Sequence, residues 1–136
     1  MQRFFFTPTA RLLAALILLG LAPAAPAAEL VRQFSGDRST ETVEFEVKAP
    51  WLIDWRVNSD FPDSMGVEVT LVNASGAYEG RVFKTKRPDN GVRLMQESGR
   101  YFFKVESTVS SWTLKVQQLS AEEAEQYTPK AQSPLD

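Results

Sequence analysis

Two carboxylates are the candidates for catalysis in this sequence. Asp54 and Glu68 each lie within a run of alternating apolar residues. A carboxylate pair can hydrolyse a glycosidic bond, because one acid protonates the leaving group while the other attacks or activates water. The sequence contains no histidine and no cysteine, which excludes Ser-His-Asp and Cys-His nucleophiles and the usual zinc sites. We therefore predict a protein that is not an enzyme, with an acid-dependent hydrolase as the alternative.

Oxygen-bearing side chains cluster in the segment 58–66, NSDFPDSMG. Asn58, Asp60, Asp63 and Ser64 are the hard donors that Ca²⁺ prefers. Their spacing does not match an EF-hand, and the same residue types are common in turns. We expect no cofactor, with Ca²⁺ at Asp60 and Asp63 as the alternative.

Two further features are candidates for contacting a ligand. Phe102 shares its strand face with charged neighbours, so we expect it to be exposed. Lys84, Lys86 and Arg87 lie in the basic turn 84–91, KTKRPDNG. They either bind an anionic glycan or lipid headgroup or remain solvated.

The aromatic residues follow a period of two, which indicates half-buried strands. They alternate with charged residues, so the aromatic face is expected to point inward. An alternative is a flat surface that stacks on sugar rings, in which Trp51 and Trp55 would lie about 13 Å apart at the usual rise per residue. The residues predicted for the core are Phe45, Trp51, Trp55, Tyr101, Phe103, Trp112 and Leu114.

About eight short strands follow from this alternation, with turn residues between them. We predict a single two-sheet antiparallel β-sandwich of the jelly-roll or immunoglobulin-like type, with a closed barrel as the alternative. The expected strands are 29–35 at an edge, 43–47, 51–58, 66–73, 78–85, 92–97, 101–105 and 112–116.

The connections between the strands give three further expectations. Pro50 cannot donate to a ladder, so the chain is expected to bend there and pass from one sheet to the other. The segment 99–118 is expected to form a hairpin with a four-residue connection at 108–111, because a two-residue turn there lacks Asn or Gly. The run from Ser120 to Glu123 matches a helix start, although few apolar residues follow it.

The first 27 residues match a secretory signal peptide. Arg3 and Arg11 come before the apolar run 12–22, and the small-residue triplet 25–27 follows. The run is shorter than the roughly 20 residues that span a bilayer, which disfavours a membrane anchor. We expect cleavage after Ala27 and export to the periplasm or the medium.

The rest of the chain has the length of one domain. Residues 28–119 are predicted to form the sandwich, and residues 120–136 a short helix or disordered tail. Removal of Arg3 and Arg11 changes the formal net charge from −2 to −4, which argues against nucleic acid and anionic membrane as partners. We expect a soluble domain that binds a protein partner or an envelope glycan.

Three segments carry a resemblance to a known family. They are an F-x-V strand at 45–47 followed by the tryptophan strand 51–55, the segment V-x-L-V-N-A-S-G at 69–76, and G-x-Y-F-F-K-V with W-T-L-K-V at 99–116. Over residues 40–118 the chain resembles the bacterial pre-peptidase C-terminal domain and related secreted β-sandwich modules. The resemblance implies a non-catalytic module of exported proteins, usually appended to an enzyme and sometimes associated with targeting or substrate binding. We expect no attached enzyme, which departs from that pattern, and the resemblance implies no catalytic residue.

Overall fold

Alternating apolar residues form strands along most of the chain. The computed structural model describes residues 28–128, so the predicted signal peptide 1–27 and the tail residues 129–136 lie outside the described residues. Nine strands and one short helix are present in the described part. They are β1 (Glu29–Gly36), β2 (Thr40–Glu41), β3 (Phe45–Val47), β4 (Trp51–Asn58), β5 (Gly66–Asn73), β6 (Tyr78–Thr85), β7 (Asp89–Met95), β8 (Gly99–Thr108), β9 (Ser111–Gln118) and α1 (Ala121–Glu125).

The strands form two antiparallel sheets. The four-stranded sheet has the order β1-β9-β4-β7, and the five-stranded sheet has the order β2-β8-β5-β6, with β3 also paired to β8. The predicted all-β sandwich is therefore confirmed, with β1 at an edge as expected. The strand number is nine rather than about eight, because the ladder is interrupted between β2 and β3. There the hydroxyl of Thr42 accepts a hydrogen bond from the backbone N–H of Phe103 (2.9 Å).

The inward faces of the two sheets meet in an apolar layer. The ring of Phe45 is central to it, with centroid distances of 5.1 Å to Phe103, 5.7 Å to Trp51 and 6.3 Å to Tyr101. Such tilted and edge-on pairs are the arrangements that aromatic rings prefer. The Nε1–H of Trp51 donates to the backbone oxygen of Glu97 (2.8 Å). The buried indole therefore keeps its hydrogen bond.

Six of the seven residues predicted for the core are buried, and Trp55 is half-buried. Trp55 stacks on Phe83, with ring centroids 3.9 Å apart and an interplanar angle of 11°. Its partner on the edge strand β7 is Gly91, where an added Cβ would lie 2.7 Å from the indole. The glycine leaves room for the ring and does not cover it. Because Trp51 and Trp55 both pack against the core, they do not form the sugar-stacking surface considered above.

The connection between β8 and β9 differs from the expected hairpin. The two strands belong to different sheets, and only Val109 and Ser110 join them. The expected hairpin was wrong because it assumed that the two strands pair. The φ angle of Val109 is 49°, which is uncommon for a β-branched residue. The turn is fixed by hydroxyl groups, since Ser110 donates to the oxygen of Thr108 (2.7 Å) and Ser107 to that of Ser110 (3.2 Å).

The chain passes between the sheets at Pro50, as predicted. The strand β3 before it lies in the five-stranded sheet, and β4 after it lies in the four-stranded sheet. The side chain of Gln118 holds this crossover, because its Oε1 accepts from the N–H of Lys48 (3.1 Å) and its Nε2 donates to the oxygen of Pro50 (3.0 Å). The bend is therefore anchored to the end of β9.

A second, smaller apolar cluster lies on the outer face of the four-stranded sheet. Leu52 points away from the main core and packs with Leu119 and Ala124 of the α1 segment. The helix has a capping box, in which Ser120 and Glu123 each accept a hydrogen bond from the backbone N–H of the other. The few apolar residues of this segment are thus enough to dock it. The helix packs on the sandwich domain predicted to end at Leu119.

Candidate binding site on the outer face of the five-stranded sheet

Two β-bulges in β6 determine which of its residues face outward. Phe83 and Arg81 pair with two consecutive residues of β5, and so do Gly80 and Tyr78. The residues passed over, Val82 and Glu79, are the extra residues of the two bulges. The first bulge allows both Val82 and Phe83 to be buried. The second bulge brings Tyr78 to the outer face.

Three side chains form an apolar row across this outer face. Val72 on β5 is paired with Tyr78 on β6 and with Phe102 on β8, and directly paired residues point to the same side of a sheet. Tyr101 and Phe103 are buried, which places Phe102 outward. The strands β6 and β8 are separated by two interstrand spacings, about 10 Å. We call Tyr78, Val72 and Phe102 the apolar row.

The apolar row lies at one end of a groove that follows β5. The outward side chains Val72 and Thr70 are short, whereas the neighbouring strands present longer ones, so the middle strand is the floor. From Val72 to Glu68 the groove extends about 13 Å at the usual rise per residue. Its volume is about 430 Å³. Its lining residues are Glu41, Glu68, Thr70, Val72, Gly76, Tyr78, Phe102, Lys104 and Glu106.

Charged side chains of both signs flank the groove beyond the apolar row. The Nε of Arg81 lies 3.4 Å from Oε2 of Glu68, and Lys84 is paired opposite Glu68 in the ladder. On the other side, Lys104 is paired opposite Glu41. These side chains reach solvent, so the Arg81–Glu68 ion pair adds at most about 1 kcal/mol to stability. They therefore supply polar groups for a ligand more than they hold the fold together.

The turn before Tyr78 is held by one side chain. The Oδ1 of Asn73 accepts from the backbone N–H groups of Ser75 (2.9 Å) and Ala77 (3.1 Å), and its Nδ2 donates to Glu79 (2.7 Å). An asparagine that bonds to the backbone just beyond it stabilises a tight turn. These hydrogen bonds fix the position at which β6 begins and so the position of Tyr78.

Tyr101 supports the same part of β8 from the inward side. Burial raises the pKa of Tyr101 above its ordinary value, and the carboxylates of Glu79 and Glu97 raise it further. The hydroxyl is therefore protonated at neutral pH, and it lies 3.1 Å from the backbone oxygen of Glu97, to which it donates. This contact joins β8 to the loop that follows β7.

The predicted ligand contacts fall at different distances from the groove. Phe102 forms part of the apolar row, although it is half-buried rather than fully exposed. Lys84 and Lys86 line a shallow depression at the far end of the same face. Arg87 is exposed in the following turn, where its backbone N–H donates to Oγ1 of Thr85 (3.2 Å). The basic residues are therefore separated from the apolar row.

The two carboxylates nominated for catalysis are not brought together. Asp54 lies on β4 between the buried Ile53 and the core-facing Trp55, so it points outward from the four-stranded sheet. Glu68 points outward from the five-stranded sheet. Packed sheets are about 10 Å apart, and these two side chains extend in opposite directions. Their separation exceeds the roughly 6.5–9.5 Å of an inverting carboxylate pair.

The predicted calcium residues lie in the loop between β4 and β5. Asp60 and Asp63 are both exposed. Asp60 lines a depression together with Asp37, and Asp63 is not part of its lining. Within residues 28–128, no three His, Cys, Asp or Glu side chains are placed to hold a metal ion. The loop is fixed by Ser59, whose hydroxyl accepts from the N–H of Phe61 (3.0 Å).

Tyr78 and Val72 are the residues of the apolar row that sequence reasoning did not identify as ligand contacts. Strict alternation places Tyr78 and Val82 on one face of a strand, but the two bulges separate them. The only sequence signal is that Val82 and Phe83 are adjacent apolar residues, which a single strand face cannot hold.

Among residues 28–128, no helix has the length and apolar character needed to cross a membrane.

Comparisons with known proteins assign no family to this arrangement. No protein-family model matches the chain, and no curated protein sequence matches it significantly.

Proposed function

We propose that this protein is an exported, non-catalytic domain that binds another molecule of the cell envelope. The binding surface is the groove along β5. The observation that carries the proposal is the apolar row, which is left uncovered beside a groove with polar walls. Ligand sites combine a few apolar or aromatic anchors with convergent polar groups in this way.

Two further observations support the proposal. Residues 1–27 have the order of a secretory signal peptide, and the resemblance to the pre-peptidase C-terminal domain implies a non-catalytic module. The hydrolase alternative is weakened, because Asp54 and Glu68 lie on opposite outer faces.

A capture experiment tests the binding surface. The purified protein is immobilised and exposed to an envelope extract, alongside the double variant Tyr78→Ala/Phe102→Ala. The matched control is Phe61→Ala/Val92→Ala, which removes two apolar side chains that are 64% and 51% exposed and lie outside the groove. We expect the wild type and the control to retain the same envelope components and the groove variant to lose them. Equal retention by all three, or by none, would overturn the proposal.

Export is tested separately by determining the N-terminal residue of the protein recovered from the periplasm or the medium. We expect it to begin at Ala28. Protein that stays in the cytoplasm and retains its N-terminal segment would contradict export without bearing on the groove.

A further inference from the structure

The chemistry around the apolar row indicates what kind of ligand fits it, and this step rests on the proposed function. We infer that the groove along β5 binds a neutral glycan. Sugar rings stack on Tyr78 and Phe102, and the glycan continues along β5 past Thr70 toward Glu68.

The apolar row is too narrow to be the centre of a stable protein interface. Stable interfaces bury roughly 800 Å² on each partner, and their centres are depleted of charged residues. Here the apolar row spans only three strands, and the adjoining row already contains Arg81, Thr70 and Lys104. A protein partner would have to desolvate these groups next to its anchor. A ligand with hydroxyl groups can hydrogen-bond to them instead.

The groove face is also balanced in charge, which favours a neutral ligand. The lining holds Lys104 and three acidic side chains, and two further basic side chains on β6 flank it. One basic and one acidic member, Arg81 and Glu68, already form an ion pair at 3.4 Å. Opposite charges so close together leave no excess potential to attract an anionic or cationic polymer. The six side chains are Arg81, Lys84, Lys104, Glu41, Glu68 and Glu106.

A sugar ring complements both parts of the groove. Its apolar C–H face stacks on aromatic rings, and its hydroxyl groups hydrogen-bond to charged side chains, which make the stronger bonds. The side chain of Val72 is short and lies between Tyr78 and Phe102, so a ring can lie above it. The groove then extends about 13 Å toward Glu68, which is enough for a short oligosaccharide.

Titration calorimetry with defined oligosaccharides tests the inference. The neutral probes are cello-, N-acetylchito- and manno-oligosaccharides from one to five rings, and the controls are an oligogalacturonate and a neutral peptide of similar length. We expect at least one neutral series to bind, with affinity that rises with ring number and then levels off. Raising the salt concentration should leave the affinity unchanged, because neither partner contributes a net charge at the site.

Variants connect this binding to the groove. We expect Tyr78→Ala to weaken glycan binding by about two- to tenfold, the size expected for the loss of one stacking contact. We expect Tyr78→Phe to retain most of the affinity. Phe61→Ala is the matched control, because it also removes an exposed aromatic ring but lies in another loop.

The failures of the two proposals are distinguishable. Binding of only the oligogalacturonate or only the peptide, or of none of the probes, overturns the neutral glycan. In that event, capture of an envelope component that depends on Tyr78 and Phe102 still supports the groove as a binding surface. Glycan binding that is unaffected by both Tyr78→Ala and Phe102→Ala overturns the assignment to this groove.

Discussion

The outer faces of the two sheets differ in how far a central apolar side chain is covered. On the four-stranded sheet, Leu52 is 1% exposed because Leu119 and Ala124 cover it. On the five-stranded sheet, Tyr78 is 69% exposed and Phe102 is half-buried. A single exposed apolar residue needs no explanation. Here an exposed tyrosine lies beside two half-buried apolar side chains across three strands, whereas α1 covers Leu52 on the other face, and this contrast supports the proposed binding surface.

The helix α1, which covers Leu52 on the four-stranded sheet, is stabilised by its packing more than by its own tendency to form a helix. A five-residue helix is too short to be stable in isolation. It forms at α1 because the capping box satisfies its first N–H groups and because Ala124 is buried against the sheet. The turn between β5 and β6 is too short to supply a similar cover. The residues that line the groove come from β2, β5, β6, β8 and the turn at Gly76.

The largest effect on stability is expected for a residue of the apolar layer between the two sheets. We expect Trp51→Ala to lower the free energy of unfolding by about 3–5 kcal/mol. The indole is fully buried, and its loss leaves a cavity and removes the hydrogen bond to Glu97. Urea unfolding followed by far-ultraviolet circular dichroism measures the change. A loss below about 1 kcal/mol would place the ring outside the core.

Replacing the neighbouring residue Leu52 tests whether α1 covers the outer face of the four-stranded sheet. Leu52→Ala should lower the free energy of unfolding by about 2–4 kcal/mol, since it opens a cavity beneath α1. Val92→Ala is the matched control. Val92 is paired with the outward-facing Asp54 and is 51% exposed, so a change within about 0.5 kcal/mol is expected. Equal small effects in the same urea titration would mean that the helix does not cover Leu52 in solution.

A smaller effect is expected from the cap of α1. Ser120→Ala should lower the free energy of unfolding by about 1 kcal/mol, because it removes the acceptor for the N–H of Glu123. Glu123→Gln is the control that keeps a side-chain acceptor at the same place, and its effect should be smaller. Thermal unfolding of the three proteins side by side measures both. If Ser120→Ala has no effect, the capping box does not stabilise the cover.

Much of the fold could be predicted from the sequence, because one face of most strands is buried. Segments such as 45–47 and 66–71 alternate strictly, and burial of one face then fixes which residues point inward. The pairing partners could not be predicted in the same way. The alternation over 99–118 predicts a hairpin with a connection at 108–111, but alternation does not say whether neighbouring strands share a sheet.

Within the apolar row, Phe102 is the residue that could be identified from the sequence as a ligand contact, and the reason is local. Phe102 was identified because its strand alternates without interruption, so its outward phase could be counted from Tyr101 and Phe103. Tyr78 was missed because two bulges change the phase of β6, and nothing in the sequence fixes the positions of bulges. Glu68 was nominated for another role, as one of a catalytic pair. It lies in the groove, paired with Arg81.

The smallest expected effect on stability is the most informative about the open face. Tyr78→Ala should change the free energy of unfolding by no more than about 0.5 kcal/mol, because the ring is largely in solvent and buries little apolar area. The variant removes more side-chain atoms than Leu52→Ala does. A smaller loss of stability for Tyr78→Ala under the same conditions would therefore reflect the exposure of the side chain and not its size. A loss above about 1.5 kcal/mol would mean that Tyr78 is packed in solution. The two outer faces would then be alike, and the apolar row would be part of the fold rather than a surface kept free for binding.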